Sequence, residues 1–202
     1  MANLPDATSV IVLPPDAQNL PMDFDLEQFM GAWYVTHSTL PLWKTKKDVS
    51  ITYTPRLRSS TQQPPQFDDV VRYRSTSDHS TSELHRVVGV DTLLLPPGPQ
   101  GAHSPRFKWR GKGWLIIASS RWQILGLGGG GSSPGWALTY FEKTLFTPAG
   151  LDIYARSPEG LPANLVHDII DKTRALGGDV GKLAEEFFEV VRSPSTDGNC
   201  CS

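Results

Sequence analysis

Hydrophobic and polar residues alternate along most of the chain with a period of two, which is typical of half-buried antiparallel strands. Clear examples are VSITYT at 49–54 and LDIYAR at 151–156. The same segments are rich in valine, isoleucine, tyrosine, tryptophan and threonine, which favour strands. The pattern predicts eight strands, at roughly 32–39, 49–55, 69–75, 84–94, 105–117, 121–127, 136–145 and 151–156.

One segment near the carboxyl end changes to a helical period. In LPANLVHDIIDKTRALGG (161–178), apolar residues recur three to four positions apart, as they do on one face of a helix. Pro162 suits the first turn of this helix, and Gly177 and Gly178 suit its end. We expect the helix to pack on the outside of the sheet. A second amphipathic stretch, DVGKLAEEFFEVV (179–191), fits either a helix or an added edge strand.

Proline-rich and glycine-rich segments mark the ends and the connections. A short helical turn at 25–29 is expected to lead into the first strand, and segments 60–66, 95–105 and 127–135 are loops by composition. The glycine run in the last of them predicts a flexible loop. The predicted organisation is an extended N-terminal arm over 1–22, a β-barrel domain with a C-terminal helix over 23–192, and a disordered tail over 193–202.

Eight consecutive strands followed by one helix favour a closed barrel, because closure leaves no exposed strand edge. A barrel of this size fills its interior with side chains or holds one small ligand. The predicted fold class is all-β: an eight-stranded antiparallel up-and-down barrel with one C-terminal α-helix packed on the outside. A β-sandwich built from the same strands is the alternative.

Several segments, in this order, resemble the lipocalins of the calycin superfamily. Gly31 and Trp33 in FMGAWYVTHS (29–38) match the Gly-x-Trp motif on the family's first strand. In YARSPEGLPANLVHDII (154–170), Arg156 stands between the last strand and the helix, as in the family's third motif. The order of RWQILGLG, GWALTYFEK and GLDIYARSP is similar to that in the lipocalin domain of plant violaxanthin de-epoxidases. The family's second motif, Thr-Asp-Tyr, is absent, and GLGGGGSSPG (126–135) stands in its place, which suggests an intracellular lipocalin-like protein of fungal or plant type.

The resemblance implies roles for particular residues. In lipocalins the tryptophan of the first motif closes one end of the barrel and the arginine packs across it. The resemblance therefore implies a structural barrel floor made by Gly31, Trp33 and Arg156. With Trp33 facing inward, strand alternation predicts the ligand-binding residues to be Val35, His37, Ile51, Tyr53, Phe107, Trp109, Arg121, Gln123, Leu125, Ala137, Thr139, Phe141, Asp152 and Tyr154.

Four of these residues are also candidate catalytic groups: His37, Arg121, Asp152 and Tyr154. Asp152 is the sharpest of them, because a carboxylate inside an apolar barrel must be paired, hydrogen-bonded or neutralised. An ion pair with Arg121 would make Asp152 structural, whereas proton exchange with a ligand would make it functional. A lone histidine such as His37 also fits an ordinary core or rim position.

Composition and motifs exclude several classes of function. The chain has 202 residues and a formal net charge of −2, so no basic field favours nucleic acid as a partner. The five histidines are scattered, which gives no metal-ligand spacing. The glycine run lacks the Gly-Lys-Ser/Thr ending of a phosphate loop. We therefore expect neither a metal nor a cofactor.

The expected location is the cytoplasm. The N-terminal sequence lacks the features of a secretory signal, no segment is long enough to span a bilayer, and the two cysteines provide no disulfide framework. We expect a monomer or weak homo-oligomer whose partner is a small hydrophobic ligand or substrate. Cys200 and Cys201 are a weak candidate for lipidation. Lys44, Lys46 and Lys47 form a basic loop at the expected cavity mouth, either solvated or attracting an anionic ligand head.

The sequence leaves three functions open. The first is a binding module that holds a small hydrophobic or amphipathic organic molecule in the barrel. The second, implied by lipocalin-like enzymes, is a cofactor-independent cyclase or isomerase of pericyclase type in secondary metabolite biosynthesis, using the same cavity. The third is an interaction barrel with a filled interior.

Overall fold

The computed structural model describes residues 10–15, 17, 24–58, 60, 62–77, 83–94, 105–113, 118–130, 133–145 and 147–193. The helices are α1 (Leu26–Phe29), α2 (Ala163–Ala175) and α3 (Gly178–Ala184), with a short 3-10 helix at Pro41–Thr45. The strands are β1 (Gly31–Ser38), β2 (Lys46–Pro55), β3 (Gln66–Ser75), β4 (His85–Leu94), β5 (Arg106–Gly111), β6 (Ser119–Gly130), β7 (Ser133–Phe141), β8 (Gly150–Ala155) and β9 (Phe188–Glu189).

Strands β1 to β8 form a closed antiparallel barrel. Consecutive strands pair from β2 through to β8, and β1 closes the barrel by pairing with both β8 and β2. The Gly31–Tyr34 half of β1 pairs with β2, and its His37–Ser38 end pairs with β9 instead. The predicted all-β, up-and-down barrel is confirmed, and the sandwich alternative is excluded.

Two separate apolar cores hold this barrel together. The first lies in the interior and is rich in aromatic side chains, among them Phe29, Trp33, Phe107 and Trp122. The second lies on the outside, between the outer face of β6 to β8 and the helices. Its members include Val10, Leu125, Trp136, Ile153 and Ile169. The outer core explains why both faces of β6, β7 and β8 are apolar.

The C-terminal region combines the helix and the added strand between which the sequence did not decide. Helix α2 begins after Pro162 and buries Val166 and Ile169, as its period predicts. Gly177 and Gly178 follow with φ values of 67° and 58°, a left-handed conformation that glycine adopts readily. The next stretch then forms helix α3 and, after it, strand β9.

The segment over 127–135, predicted as a flexible loop, is mostly strand. β6 continues to Gly130 and β7 begins at Ser133. A Cβ at Gly128 would lie 2.5 Å from the indole nitrogen of Trp136. The glycines are therefore needed where this indole crosses the neighbouring strand on the outer face.

The ends of the chain are described only in part. In the predicted N-terminal arm, Leu13 donates its backbone N–H to the Leu125 carbonyl at 2.8 Å, so this part lies on the barrel. Most of the predicted loop over 95–105, residues 114–117 of the predicted fifth strand, and residues 194–202 with Cys200 and Cys201 lie outside the described residues. Among the helices described, none is long and apolar enough to cross a membrane.

Candidate functional site

Trp33 lies at one end of the barrel interior, and only 2% of it is exposed. Its ring centroid is 5.2 Å from that of Phe29 and 6.3 Å from that of Tyr154. The indole N–H donates to the Phe29 carbonyl at 2.8 Å. Helix α1 supplies Phe29, and Asp25 caps this helix by accepting the backbone N–H of Glu27.

Arg156 packs against Trp33 at this end. Its guanidinium carbon lies 3.7 Å from the centroid of the Trp33 ring, within the range of a cation–π contact. The same group donates to the backbone carbonyls of Ala32 at 2.9 Å and Gln28 at 2.5 Å. Gly31 has a φ of 93°, and a Cβ there would lie 3.5 Å from the Arg156 guanidinium. These contacts have the geometry that the lipocalin resemblance implies for a barrel floor.

Beyond Trp33 and Phe29 the barrel holds a cavity of about 390 Å³ that is partly open to solvent. Tyr53 and Tyr154 separate the cavity from Phe29 and Trp33. Both tyrosines line the cavity, and on their other side Tyr53 contacts Phe29 and Tyr154 contacts Trp33. Most of its wall is aromatic or aliphatic. The lining includes Leu40, Leu42, Trp43, Ile51, Tyr53, Val71, Tyr73, Val87, Trp109, Trp122, Phe141 and Tyr154, with Lys46, Asp69, Ser120, Glu142, Thr147 and Asp152 as polar members.

The residues predicted to bind ligand separate into three groups. The first lines the cavity and consists of Ile51, Tyr53, Trp109, Phe141, Asp152 and Tyr154. The second lies inside the barrel but away from the cavity and consists of Val35, Phe107, Ala137 and Thr139. The third faces the outside of the barrel and consists of His37, Arg121, Gln123 and Leu125.

His37 faces outward because β1 contains a bulge. The register against β8 shifts between Val35 and His37, so Thr36 is an extra residue in the strand. The bulge reverses the alternation and turns Ser38 inward, whereas His37 pairs with Glu189 of β9. Burial lowers the pKa of His37, and the neighbouring Glu189 partly offsets this. The structure therefore does not support His37 as a cavity base.

The facing prediction for β6 is reversed. Trp122 and Ile124 belong to the interior core, whereas Leu125 belongs to the outer core. Arg121 has the same parity as Leu125 and is exposed, and Gln123 shares this outward parity while being buried. Because both faces of β6 are covered, the apolar pattern alone could not show which face was inside.

Asp152 is buried on the cavity wall, without the Arg121 ion pair that the sequence suggested. Its Oδ1 accepts a 2.5 Å hydrogen bond from the Ser38 hydroxyl, and its Oδ2 accepts a 3.2 Å bond from the Trp43 indole N–H. Burial raises the pKa of Asp152 to about 7, and the hydrogen bonds from Ser38 and Trp43 oppose the rise. The Asp152 carboxyl can therefore both donate and accept a proton near neutral pH, as a general acid or base must.

A second acidic site, which the sequence analysis missed, is formed by Asp69 on β3 and Asp91 on β4. Both carboxyls are buried and interact with one another. Burial raises the pKa of Asp69 well above its usual range and that of Asp91 to about 7. Asp69 lies on the same face of its strand as Phe67 and Val71. An aspartate among these inward apolar positions was the sequence signal that could have predicted a buried carboxyl.

Indole N–H groups donate a hydrogen bond to each carboxyl of this acidic pair. Trp122 donates to Asp91 Oδ1 at 2.7 Å, and Trp109 donates to Asp69. Gly89 makes the second contact possible, because a Cβ there would lie 2.0 Å from the Trp109 indole nitrogen. With Trp43 on Asp152, three indoles thus bind three buried carboxyls.

Comparison with solved structures bears on the fold of this barrel. The chain is similar in structure to apocrustacyanin C1, with 14% sequence identity, a TM-score of 0.54 and coverage of 92% of each chain. It is also similar to H1 crustacyanin from the lobster Homarus americanus, with 16% identity, a TM-score of 0.53 and coverage of 96% of this chain and 95% of that one. Crustacyanin is a lipocalin. The chain has a lipocalin fold. No family model and no curated protein matches the sequence, and the likeness to the violaxanthin de-epoxidase domain stays a prediction.

The acidic groups that line the cavity of the lipocalin barrel stand on separate walls. Asp69 is on β3 and Asp152 is on β8, and these strands are three positions apart in one direction around the ring of eight and five in the other. A ligand in the cavity can therefore meet a carboxyl at either side. Within the described ranges, no group of three or more histidine, cysteine, aspartate or glutamate side chains is arranged to hold a metal ion.

Lysines lie near the edge of the cavity of this lipocalin fold. The Lys46 ammonium lies 5.0 Å from the centroid of the Tyr73 ring, and the Lys44 ammonium lies 5.3 Å from that of Phe188. Lys46 is among the residues that line the cavity. Two lysines of the predicted basic loop are thus held over aromatic rings.

Proposed function

We propose that the barrel binds a small, largely apolar organic molecule in its interior. The observation that carries this proposal is a cavity of about 390 Å³ with an aromatic wall and a few polar groups. Pockets for small molecules combine these features, since apolar surface gives affinity and sparse polar groups give orientation. The lipocalin fold supports the proposal, because a barrel of this size can hold one small ligand.

Filling part of the cavity should weaken binding. Val71 lies on β3 and lines the cavity, so a phenylalanine there would occupy ligand space. We expect the wild-type protein to bind the neutral fluorescent dye Nile red saturably, and Val71→Phe to weaken binding by about 10-fold or more, since overpacking costs about 1–3 kcal/mol. Fluorescence titration measures both affinities.

The matched control is Val191→Phe, the same substitution at a residue that is 51% exposed. Equal affinity in Val71→Phe and wild type would place the dye outside the cavity. Failure of the wild type to bind any apolar dye would favour a filled barrel with a structural role.

A second candidate function is a cofactor-independent cyclase or isomerase that uses the same cavity. The observation that favours it is Asp152, a buried carboxyl on the cavity wall. Its pKa is raised by burial to about 7. A group with this pKa can donate and accept a proton at neutral pH. The aromatic wall could also stabilise positive charge that develops on a reacting ligand.

Asp152→Asn separates this function from binding alone. Small molecules extracted from the source organism and retained by the wild-type protein would be incubated in heavy water and examined by mass spectrometry. An acid–base role predicts a new product or deuterium incorporation, which Asp152→Asn slows by about 100-fold or more while Nile red affinity is kept.

The control for this experiment is Asp179→Asn, because the Asp179 side chain is 97% exposed. This variant should convert the molecule at the wild-type rate. Conversion by Asp152→Asn at the wild-type rate would remove Asp152 from the chemistry, and no conversion by the wild type would leave binding as the function.

A further inference from the structure

One oxygen of each carboxyl in the Asp69–Asp91 pair lacks a hydrogen-bond donor among the described residues. Asp69 Oδ1 and Asp91 Oδ2 are both buried and receive no hydrogen bond from the described residues. The two side chains nevertheless interact with one another. Two ionised carboxylates cannot stay in contact at a buried site without a compensating charge. A proton held between the two oxygens satisfies both.

The rest of the structure fixes this pair at the cavity wall. Trp109 and Trp122 donate to the remaining oxygens, so neither carboxyl is free to turn away. Asp69 lines the cavity, whereas Asp91 lies behind it and is completely buried. The pair therefore presents Asp69 to whatever occupies the cavity.

Tyr154 gives independent evidence for a polar contact at this place. It lines the cavity, it is completely buried, and its hydroxyl has no hydrogen-bond partner among the described residues. Tyr53 and Thr139 lie near the hydroxyl without completing a bond of normal geometry. Tyr53 is also the cross-strand partner of Asp69. A ligand oxygen would supply the partner that the Tyr154 hydroxyl lacks.

The acidic lining of the cavity disfavours an anionic ligand, and the proton shared by Asp69 and Asp91 disfavours a cationic one. Among its described lining residues the one cation is Lys46, which is held over Tyr73, whereas Asp69, Asp152 and Glu142 are acidic. A ligand carboxylate would enter without a counter-charge next to carboxyls, which is costly in a buried site. A ligand ammonium would have to displace the proton that Asp69 and Asp91 hold.

We propose that Asp69, Asp91 and Tyr154 form the polar recognition point of the cavity, and that it selects neutral ligands with a hydroxyl or carbonyl oxygen. A hydroxyl group matches best, since it can accept from Tyr154 and donate to Asp69. This inference rests on the proposed binding function and adds the chemical class of the ligand.

Four naphthalene probes of nearly equal size test the selectivity. They are naphthylmethanol, ethylnaphthalene, naphthoate and naphthylmethylammonium, and calorimetry or displacement of Nile red at neutral pH gives their affinities. We expect naphthylmethanol to bind about 10-fold more tightly than ethylnaphthalene, the gain of one good hydrogen bond. The anion and the cation should bind more weakly than naphthylmethanol.

Tyr154→Phe and Asp69 variants assign this selectivity to residues. Tyr154→Phe removes only an unpartnered hydroxyl and should reduce naphthylmethanol affinity by about 3-fold to 10-fold, with ethylnaphthalene unchanged. Asp69→Leu should do the same, and Asp69→Asn should restore binding because an amide both donates and accepts. If Asp69→Leu fails to fold, Tyr154→Phe and Asp69→Asn still decide the question.

The outcomes separate this inference from the function beneath it. If no probe binds, the proposed binding function fails. If ethylnaphthalene and naphthylmethanol bind equally, and Tyr154→Phe changes neither, the cavity binds ligands but the polar recognition point is wrong. Tightest binding of naphthoate or naphthylmethylammonium would also overturn it, in favour of a charged ligand.

Discussion

Replacing Trp33 by alanine is expected to lower the free energy of unfolding by about 3–5 kcal/mol, the usual cost of truncating a large buried aromatic. Trp33 packs on Phe29 and Tyr154 and is almost fully buried. Its loss would also leave the Phe29 carbonyl without its indole donor and the Arg156 guanidinium without its aromatic ring. Urea denaturation followed by far-ultraviolet circular dichroism measures the change without relying on tryptophan fluorescence.

Leu57→Ala is the matched control, since it removes a large apolar side chain that is fully exposed. This variant should change the unfolding free energy by less than about 0.5 kcal/mol, as most surface substitutions do. If Trp33→Ala kept wild-type stability and lost only Nile red binding, Trp33 would be a ligand contact and the barrel-floor role would be wrong.

The sequence was sufficient for the number and order of the barrel strands, because alternation and turn residues are local signals. Two strand ends were predicted too far along the chain, since β5 ends at Gly111 and β7 at Phe141. In the strand that carries Asp152 and Tyr154, alternation also gave the correct inward parity. Its apolar outward residues, Leu151 and Ile153, pack in the outer core. In this strand one polar position stands out against apolar neighbours on both faces, so the pattern was informative.

Facing could not be predicted where the chain departs from regular alternation. Because of the bulge at Thr36, Ser38 faces inward where regular alternation would place His37. Nothing in the residues THS at 36–38 predicts whether the strand is bulged or regular. On β6 a register shift between Ile124 and Gly126 places Ile124 and Leu127 in the interior core and Leu125 in the outer one. Such features depend on contacts between strands, which a single sequence does not contain.

The contact between Asp69 and Asp91 could not be predicted from the sequence for a different reason. The alternation of Phe67, Asp69 and Val71 already placed one carboxyl inside, and Asp91 occupies a comparable position on β4. Their contact depends on the register in which β3 pairs with β4, with Phe67 opposite Asp91 and Asp69 opposite Gly89. Register is set by the whole sheet, so two inward acids could be predicted but their pairing could not.

The stability of the folded chain should depend on pH through its buried carboxyls. Burial raises the pKa of Asp152 to about 7, whereas an aspartate in an unfolded chain has a pKa of about 3.9. Between these values the folded state holds a proton that the unfolded state has lost. The resulting stabilisation is complete below about pH 4 and is lost as the pH rises through about 7. Burial also raises the pKa values of Asp69 and Asp91, so these two groups change the stability with pH in the same direction.

Asp152→Asn is expected to remove the Asp152 part of this dependence, because an amide does not titrate. The stability of the wild type relative to the variant should fall by up to about 1.4 kcal/mol per pH unit between about pH 4 and 7, and by about 4 kcal/mol in total. Urea denaturation at several pH values measures this difference, and Asp179→Asn, at an exposed position, should give a curve parallel to that of the wild type. Parallel curves for Asp152→Asn and the wild type would mean that Asp152 stays ionised in the folded barrel, held by Ser38 and Trp43 as a structural carboxylate. Asp152 would then hold no proton to give to a ligand near neutral pH, and the acid–base function would lose its main support.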